Sequence, residues 1–293
     1  MKQRAAAPGR ILAAIVATYA AANVAWLAWA GVHVGGDSPM YMDSGARLAS
    51  GAVTDVVPAL HLGYLTVVGI CQWIGLGLTG VALAQIAVAA GAIVAVYRMG
   101  VELSGATAGL LAAAIFACDL EAARWNTFIL TDSFFISLVA ISAWRVHRMT
   151  TPGANGRAML GGVACLILLA SLRPEGWLFV TAAAFYAALR NDRHAVRRAA
   201  IVGALLMCGP IAVAAVPRLQ ARVDRVFSLE GLRYGQTIWG SGAWRVPMPG
   251  EPNRALDREG VTPVVRYAAQ HPFATAGLML ARIAVHVMHV RPF

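Results

Sequence analysis

The chain has 293 residues, of which 59% are apolar and only 13% charged. Soluble domains lie nearer about one half and one quarter, so this balance indicates a polytopic membrane protein. The excess of 24 basic over 14 acidic residues needs no nucleic acid to explain it, because positive charge in short loops sets membrane orientation.

The start, MKQRAAAPGRILAAIVATYAAANVAWLAWAGV, couples a basic lead to an apolar core of about 20 residues, longer than that of a cleaved signal peptide. It reads as an uncleaved signal-anchor with Lys2, Arg4 and Arg10 kept in the cytoplasm. Further apolar runs follow at 59–78, 80–97, 106–118, 128–144, 158–172, 175–189, 198–216 and 274–290. If 59–78 crossed the bilayer, Arg98 and the cluster RNDRHAVRR at 190–198 would both lie outside, against the positive-inside rule. Placing 59–78 in the outer interface instead brings Arg98, Arg145, Arg148, Arg157 and that cluster inside with the N-terminus. The expectation is then seven spanning helices before residue 217, with 33–79, 119–127, 173–174 and 217–273 on the outer side. The four cysteines, Cys71, Cys118, Cys165 and Cys208, are scattered through apolar segments, which argues against disulfides and against a zinc site.

This arrangement gathers ionisable residues at one membrane face. Asp37 and Asp43 follow the first helix in HVGGDSPMYMDSGARLASG, Asp119 and Glu121 follow the third, and Asp132 opens the next in EAARWNTFILTDSFF. The RPEG corner adds Arg173 and Glu175. Each has a plain structural reading beside a functional one. Thr131-Asp132 suits a helix N-cap, and Arg173-Pro174 suits a helix break with a snorkelling arginine. As a set they form a polar pocket on one side of the bilayer, where carboxylates are costly and point to function.

GGDSPMYMDSGARLASG, then PALHLGYLTVVGICQWIGLG, then RWNTFILTDSFFISLVAISAW, then LRPEGWLF stand in an order that resembles the polyprenyl-phosphate-dependent glycosyltransferases of the GT-C fold. That group includes the protein O-mannosyltransferase and aminoarabinose transferase families. The likeness covers residues 11 to about 190. It implies an all-α polytopic bundle, a GT-C-like core over 1–216 with a juxtamembrane helix in 33–79, followed by an outer segment 217–273 and a terminal membrane helix 274–293. Two departures stand out. The family's "YPL" position reads His61-Leu62-Gly63-Tyr64, with Pro58 upstream, and typical members continue further than HVMHVRPF. A minimal core, a fragment, or half of a split enzyme whose partner subunit completes the C-terminal half are the expectations that follow.

The resemblance also implies roles. Such an enzyme moves a sugar from a lipid phosphate to an acceptor, so the leaving phosphate needs cationic or hydrogen-bonding stabilisation and the acceptor needs a base. By resemblance Asp37 is that base, and Asp132 orients the acceptor or a divalent metal ion bound at the outer carboxylates. Arg124 and Arg173 are candidates for the phosphate, since guanidinium contacts phosphate oxygens bidentately. Tyr41, Glu121 and His61 complete the substrate-binding set, with an interfacial tyrosine belt as the other reading of Tyr41. Asp43 is assigned to solvent, and His271, His286 and His289 to structure. The outer segment 217–273, with eight arginines, five acids and GQTIWGSGAWRVPMPGEPNR at its centre, is either an acceptor-binding lid or a loop lying on headgroups. The expected location is the inner (plasma) membrane, with the active site outward. The rival classes are an inactive GT-C-like scaffold and a small transporter. A transporter would place broken helices and charges near the midplane, whereas here only Arg282 sits within a run.

Overall fold

The computed structural model describes residues 6–52, 61–151, 153–173, 175–189, 246–249 and 267–287. Pro58, the 190–198 cluster, the run 198–216 and most of 217–273 lie outside the described residues. The chain divides into two compact units, Met1–Gly209 and Pro210–Phe293.

In the first unit the helices are α1 (Ala6–Ala30), α2 (Ser38–Ala49), α3 (Leu62–Trp73), α4 (Gly77–Ser104), α5 (Ala106–Ala117), α6 (Leu120–Arg124), α7 (Asp132–Thr150), α8 (Gly156–Leu172) and α9 (Gly176–Leu189). A 3-10 turn, Trp125–Thr127, follows α6. Among the described residues no strand forms, only an isolated parallel bridge between His33 and Phe128. The second unit contributes α10 (Pro272–Val287), and near it Tyr267 donates to the Pro249 carbonyl at 2.7 Å and packs against His271.

The molecule is an all-α membrane bundle, and its burial pattern shows why. Trp29, Ile115 and Phe185 are largely exposed, while Gln85, Asn23 and Asn126 are buried. Water would favour the reverse; lipid favours this arrangement, because exposed apolar surface is free there and polar groups must find partners inside. Two described helices, α1 from Pro8 and α4, are long and apolar enough to cross a bilayer, and α5 with Leu120–Thr127 makes a third candidate bent by 52°. The seven expected spans are therefore met in part within the described residues. α7 is 19 residues long but carries Asp132 at one end and Arg145 and Arg148 near the other. The run expected at 128–144 becomes helical only at Asp132, since Ile129 donates its N–H to the His33 carbonyl at 3.1 Å. Residues 119–127, expected on the outer side, contain α6, whose N-terminus is capped by the Asp119 carboxylate accepting from the Glu121 and Ala122 amides, both at 3.1 Å.

α3 has 12 residues, about 18 Å at the usual rise, well short of the roughly 30 Å hydrocarbon core. Its length suits an embedded helix and not a span. It packs on α2 at a glycine crossing: a Cβ on Gly45 would lie 2.6 Å from Val68 Cγ1, and one on Gly69 would lie 3.0 Å from the Gly45 carbonyl oxygen. α4 then turns back through Gly105, whose φ of 90° only glycine adopts at little cost, and packs against α1, α3, α5 and α7.

Candidate functional site

The site is assembled where three loops meet. Ahead of α2, the Ser38 hydroxyl donates to the Gly35 carbonyl at 2.7 Å and accepts from the Gly35 amide at 3.1 Å. This turn sets Asp37 at the N-cap of α2. Its carboxylate is exposed and, unlike that of Asp119, makes no bond to the helix amides. One turn on, Asp43 pairs with Arg47 at 2.9 Å, both exposed, in keeping with its assignment to solvent.

Tyr41 projects from α2 into the interior, where it is 3% exposed. Its ring meets His61 edge-on at 5.3 Å and Tyr64 at 5.1 Å. Burial pushes the Tyr41 hydroxyl up to about 12, against a hydrogen bond from Thr131 and with Asp37 adding to the rise. It therefore remains a neutral phenol at physiological pH. His61 shares a 2.8 Å hydrogen bond with the Leu172 carbonyl through Nδ1. A carbonyl only accepts, so Nδ1 carries the proton and Nε2 the lone pair in the neutral ring. Burial lowers the His61 pKa, and the Leu172 bond offsets this in part.

α8 ends at Leu172, and Arg173 leaves it in extended conformation. Its NH1 donates to Asp132 Oδ1 at 2.9 Å, its Nε lies 3.7 Å from Glu175 Oε2, and its guanidinium stacks 5.5 Å from the Phe135 ring centre. Burial opposes the Arg173 charge, but Asp132 and Glu175 outweigh it and raise the pKa. Asp132 is the first residue of α7, and Thr131 makes no side-chain cap. The carboxylate thus serves Arg173. The structure brings Tyr41, His61, Asp132 and Arg173 together, with Asp37 acting electrostatically on Tyr41 and His61. Glu121 and Arg124 instead pair with each other at 3.2 Å, one turn apart, with Arg124 over the Trp125 ring at 4.7 Å.

Sequence reasoning missed the scaffold beneath these loops. Gln85, fully buried on α4, donates from Nε2 to the carbonyls of Asn126 and Phe128 at 2.9 Å and of Trp125 at 3.2 Å. Its Oε1 accepts from the Tyr64 hydroxyl at 3.1 Å. Asn126 donates to Tyr19 Oη and Asn23 Oδ1, both at 2.8 Å, and accepts from Ser133 at 2.6 Å. The His33 amide donates to the Thr127 carbonyl at 2.8 Å, and the His33 ring stacks on Phe128 at 4.8 Å. These bonds tie the Asp37 loop to the Asp132 loop. The available signal was a lone amide in each apolar run, Gln85 in GVALAQIAVAAG and Asn23 in AAANVAW, since intramembrane polar groups find partners.

The described donor set is not that of a divalent-ion site. Among the described residues no three His, Cys, Asp or Glu side chains are grouped to hold a metal, and a guanidinium already occupies Asp132. Cys71, Cys118 and Cys165 are free thiols.

Residues 63–217, more than half of the chain, match the family model described as dolichyl-phosphate-mannose-protein mannosyltransferase. The match includes Tyr64, Gln85, Asp132 and Arg173 and begins just after Asp37, Tyr41 and His61. No curated protein and no solved structure matches the chain.

Proposed function

The chain belongs to the dolichyl-phosphate-mannose-protein mannosyltransferase family, and from that premise we propose that it is a membrane glycosyltransferase working with Asp37 as general base. It takes a sugar from a polyprenyl-phosphate donor and passes it, with inversion, to an acceptor on the outer face of the plasma membrane. The observation that carries this reading is the exposed Asp37 carboxylate, unused by its own helix, beside the buried Tyr41 and the half-buried His61, Asp132 and Arg173.

The acceptor hydroxyl gives its proton to the Asp37 carboxylate as its oxygen bonds to the anomeric carbon. The bond from that carbon to the phosphate oxygen breaks on the opposite face, and the lipid phosphate departs with both electrons. A phosphate leaves already charged and needs no proton, but it needs donors. Arg173 supplies them: NH1 is held by Asp132 and Nε faces Glu175, and NH2 is the group assigned to phosphate. Asp132 is thus a positioning residue. Tyr41, kept neutral by burial, offers a hydroxyl to sugar or phosphate. Arg124 and Glu121 form a pair of their own and are assigned to the acceptor side. No step is routed through a metal ion.

The test is to incubate the purified chain with a panel of polyprenyl-phosphate sugars and hydroxyl acceptors, and to follow transfer and the anomeric configuration of the product. Inverted product that depends on the lipid-phosphate donor is expected. Retained configuration would exclude the single-displacement scheme, and transfer from a nucleotide sugar alone would exclude the donor class.

A further inference from the structure

α7 begins at Asp132 and carries His147 and Arg148 in its last turn, about 24 Å away along the helix axis. At that far end, α7, α8, α9 and the last turns of α4 line an open-sided cavity of about 380 Å³. Its walls are apolar, formed by side chains such as Leu103, Ala143 and Phe179, with His147 and Tyr186 among the polar lining residues. Those two share a 3.1 Å hydrogen bond.

Ser142 also lines the cavity. It is 3% exposed, and its hydroxyl has no hydrogen-bond partner among the described residues. Thr150, two turns on, bonds back to the Val146 carbonyl at 2.9 Å in the usual way. A buried hydroxyl left unsatisfied beside a cavity points to an acceptor supplied by a ligand.

Basic side chains gather at this end of α7 and α4. Glu102 lies 3.7 Å from the cavity's His147 and 3.5 Å from Arg148, while Arg98 and Arg145 stack on the Trp144 ring at 5.6 and 4.7 Å. These three arginines outnumber the one carboxylate paired there, so this end carries excess positive charge. Ser142 lies six residues before Arg148, about 9 Å deeper along the helix. That is the order of a glycerophospholipid: phosphate at the surface, ester carbonyls below it, acyl chains deepest. A zwitterionic headgroup would gain little from the excess charge, whereas basic side chains attract anionic headgroups.

We propose that this cavity binds an anionic glycerophospholipid drawn from the leaflet opposite the Asp132–Arg173 site. Its acyl chain fills the apolar body, an ester carbonyl accepts from Ser142, and its phosphate meets Arg148. The proposal depends on the membrane orientation of α7 and not on the transferase chemistry, so loss of either leaves the other standing.

The test uses the full chain in phosphatidylcholine vesicles doped with a phosphatidylglycerol that bears a photoactivatable diazirine in one acyl chain. Cross-linked residues are mapped by mass spectrometry. Labelling should concentrate on Leu103, Ala143 and Phe179, and unlabelled phosphatidylglycerol should compete where extra phosphatidylcholine does not. Arg148→Gln should lower the yield about fivefold, as expected for one basic contact to an anionic headgroup. Ala143→Phe, at an exposed position of α7, should remove labelling at Phe179 and leave it at Ile115. Equal labelling at Ile115 and Phe179 in the wild type, competition by phosphatidylcholine, or indifference to both substitutions would overturn the proposal, leaving only ordinary boundary lipid.

Discussion

Arg173 and Asp132, 41 residues apart in the chain, meet in an ion pair of 2.9 Å that joins the end of α8 to the start of α7. Both side chains are largely buried, at 29% and 17% exposure, so removing one leaves a charge poorly solvated. The pair also has a third member, since Glu175 lies on the other side of the guanidinium.

This geometry makes the two positions energetically inseparable. Asp132→Asn and Arg173→Ala should each destabilise the protein, and the double variant should cost less than their sum by about 0.5–3 kcal/mol. Thermal unfolding of the four proteins in one detergent measures the difference. Additive losses would show that the pair is geometric only.

Gln85 supports the site without touching substrate. Gln85→Leu keeps approximate volume but strands three carbonyls and the Tyr64 hydroxyl. A buried group left unpaired costs about 1–3 kcal/mol, so both unfolding temperature and turnover should fall. Gln85→Glu retains an acceptor for Tyr64 but no donor for the carbonyls, and should behave no better. An unchanged melting profile in Gln85→Leu would mean that the 125–128 segment is held elsewhere.

Asp37, at the N-cap of α2, and Asp43, within α2, provide a contrast six residues apart. Asp37→Asn keeps the shape and removes the proton acceptor, and loss of a general base costs about 100- to 10,000-fold. Asp43→Asn breaks an exposed pair with Arg47, worth at most about 1 kcal/mol, and should leave turnover nearly intact. Single-turnover rates with a saturating donor separate the two. Equal rates for wild type and Asp37→Asn would remove Asp37 from the chemistry.

His61 links stability to pH. Burial lowers its pKa, so below the ordinary value of about 6.5 the unfolded chain binds the proton more readily than the folded one. Its contribution is therefore present above about pH 6.5 and is lost as pH falls through the lower folded value. His61→Gln should flatten the acid side of the stability curve and leave the alkaline side unchanged. Detergent-solubilised melting curves across that range provide the measurement, and identical acid slopes would contradict the assignment.

Topology is open to direct labelling. With α3 embedded in the outer interface, a cysteine at Thr79 should react with an impermeant maleimide in intact cells. One at Arg98, near the other end of α4, should react only after permeabilisation. The opposite pattern would mean that α3 crosses after all.

The sequence by itself determined the class of molecule, the expectation that the 59–78 run does not span, and the crowding of acids near one end of the bundle, but not that this run holds a helix of only 12 residues. Those are local properties: the length of an apolar run, the charges that flank it and the alternation of sides that follows. By resemblance it also grouped Asp37, Tyr41, His61, Glu121, Arg124, Asp132 and Arg173 as candidate site residues. What it could not decide was who binds whom. Thr131-Asp132 reads equally well as a cap or a ligand, and only the approach of α8 to α7 makes the carboxylate a partner of Arg173. Arg124 and Arg173 look equivalent in sequence, yet one turn of α6 gives Arg124 to Glu121. Gln85 stands alone in an apolar run until α4 is laid beside residues 125–128, where its amide meets three carbonyls. Each of these outcomes depends on contacts between residues far apart in sequence, set by how helices cross, and helix crossing is a property of packed surfaces, not of any one segment.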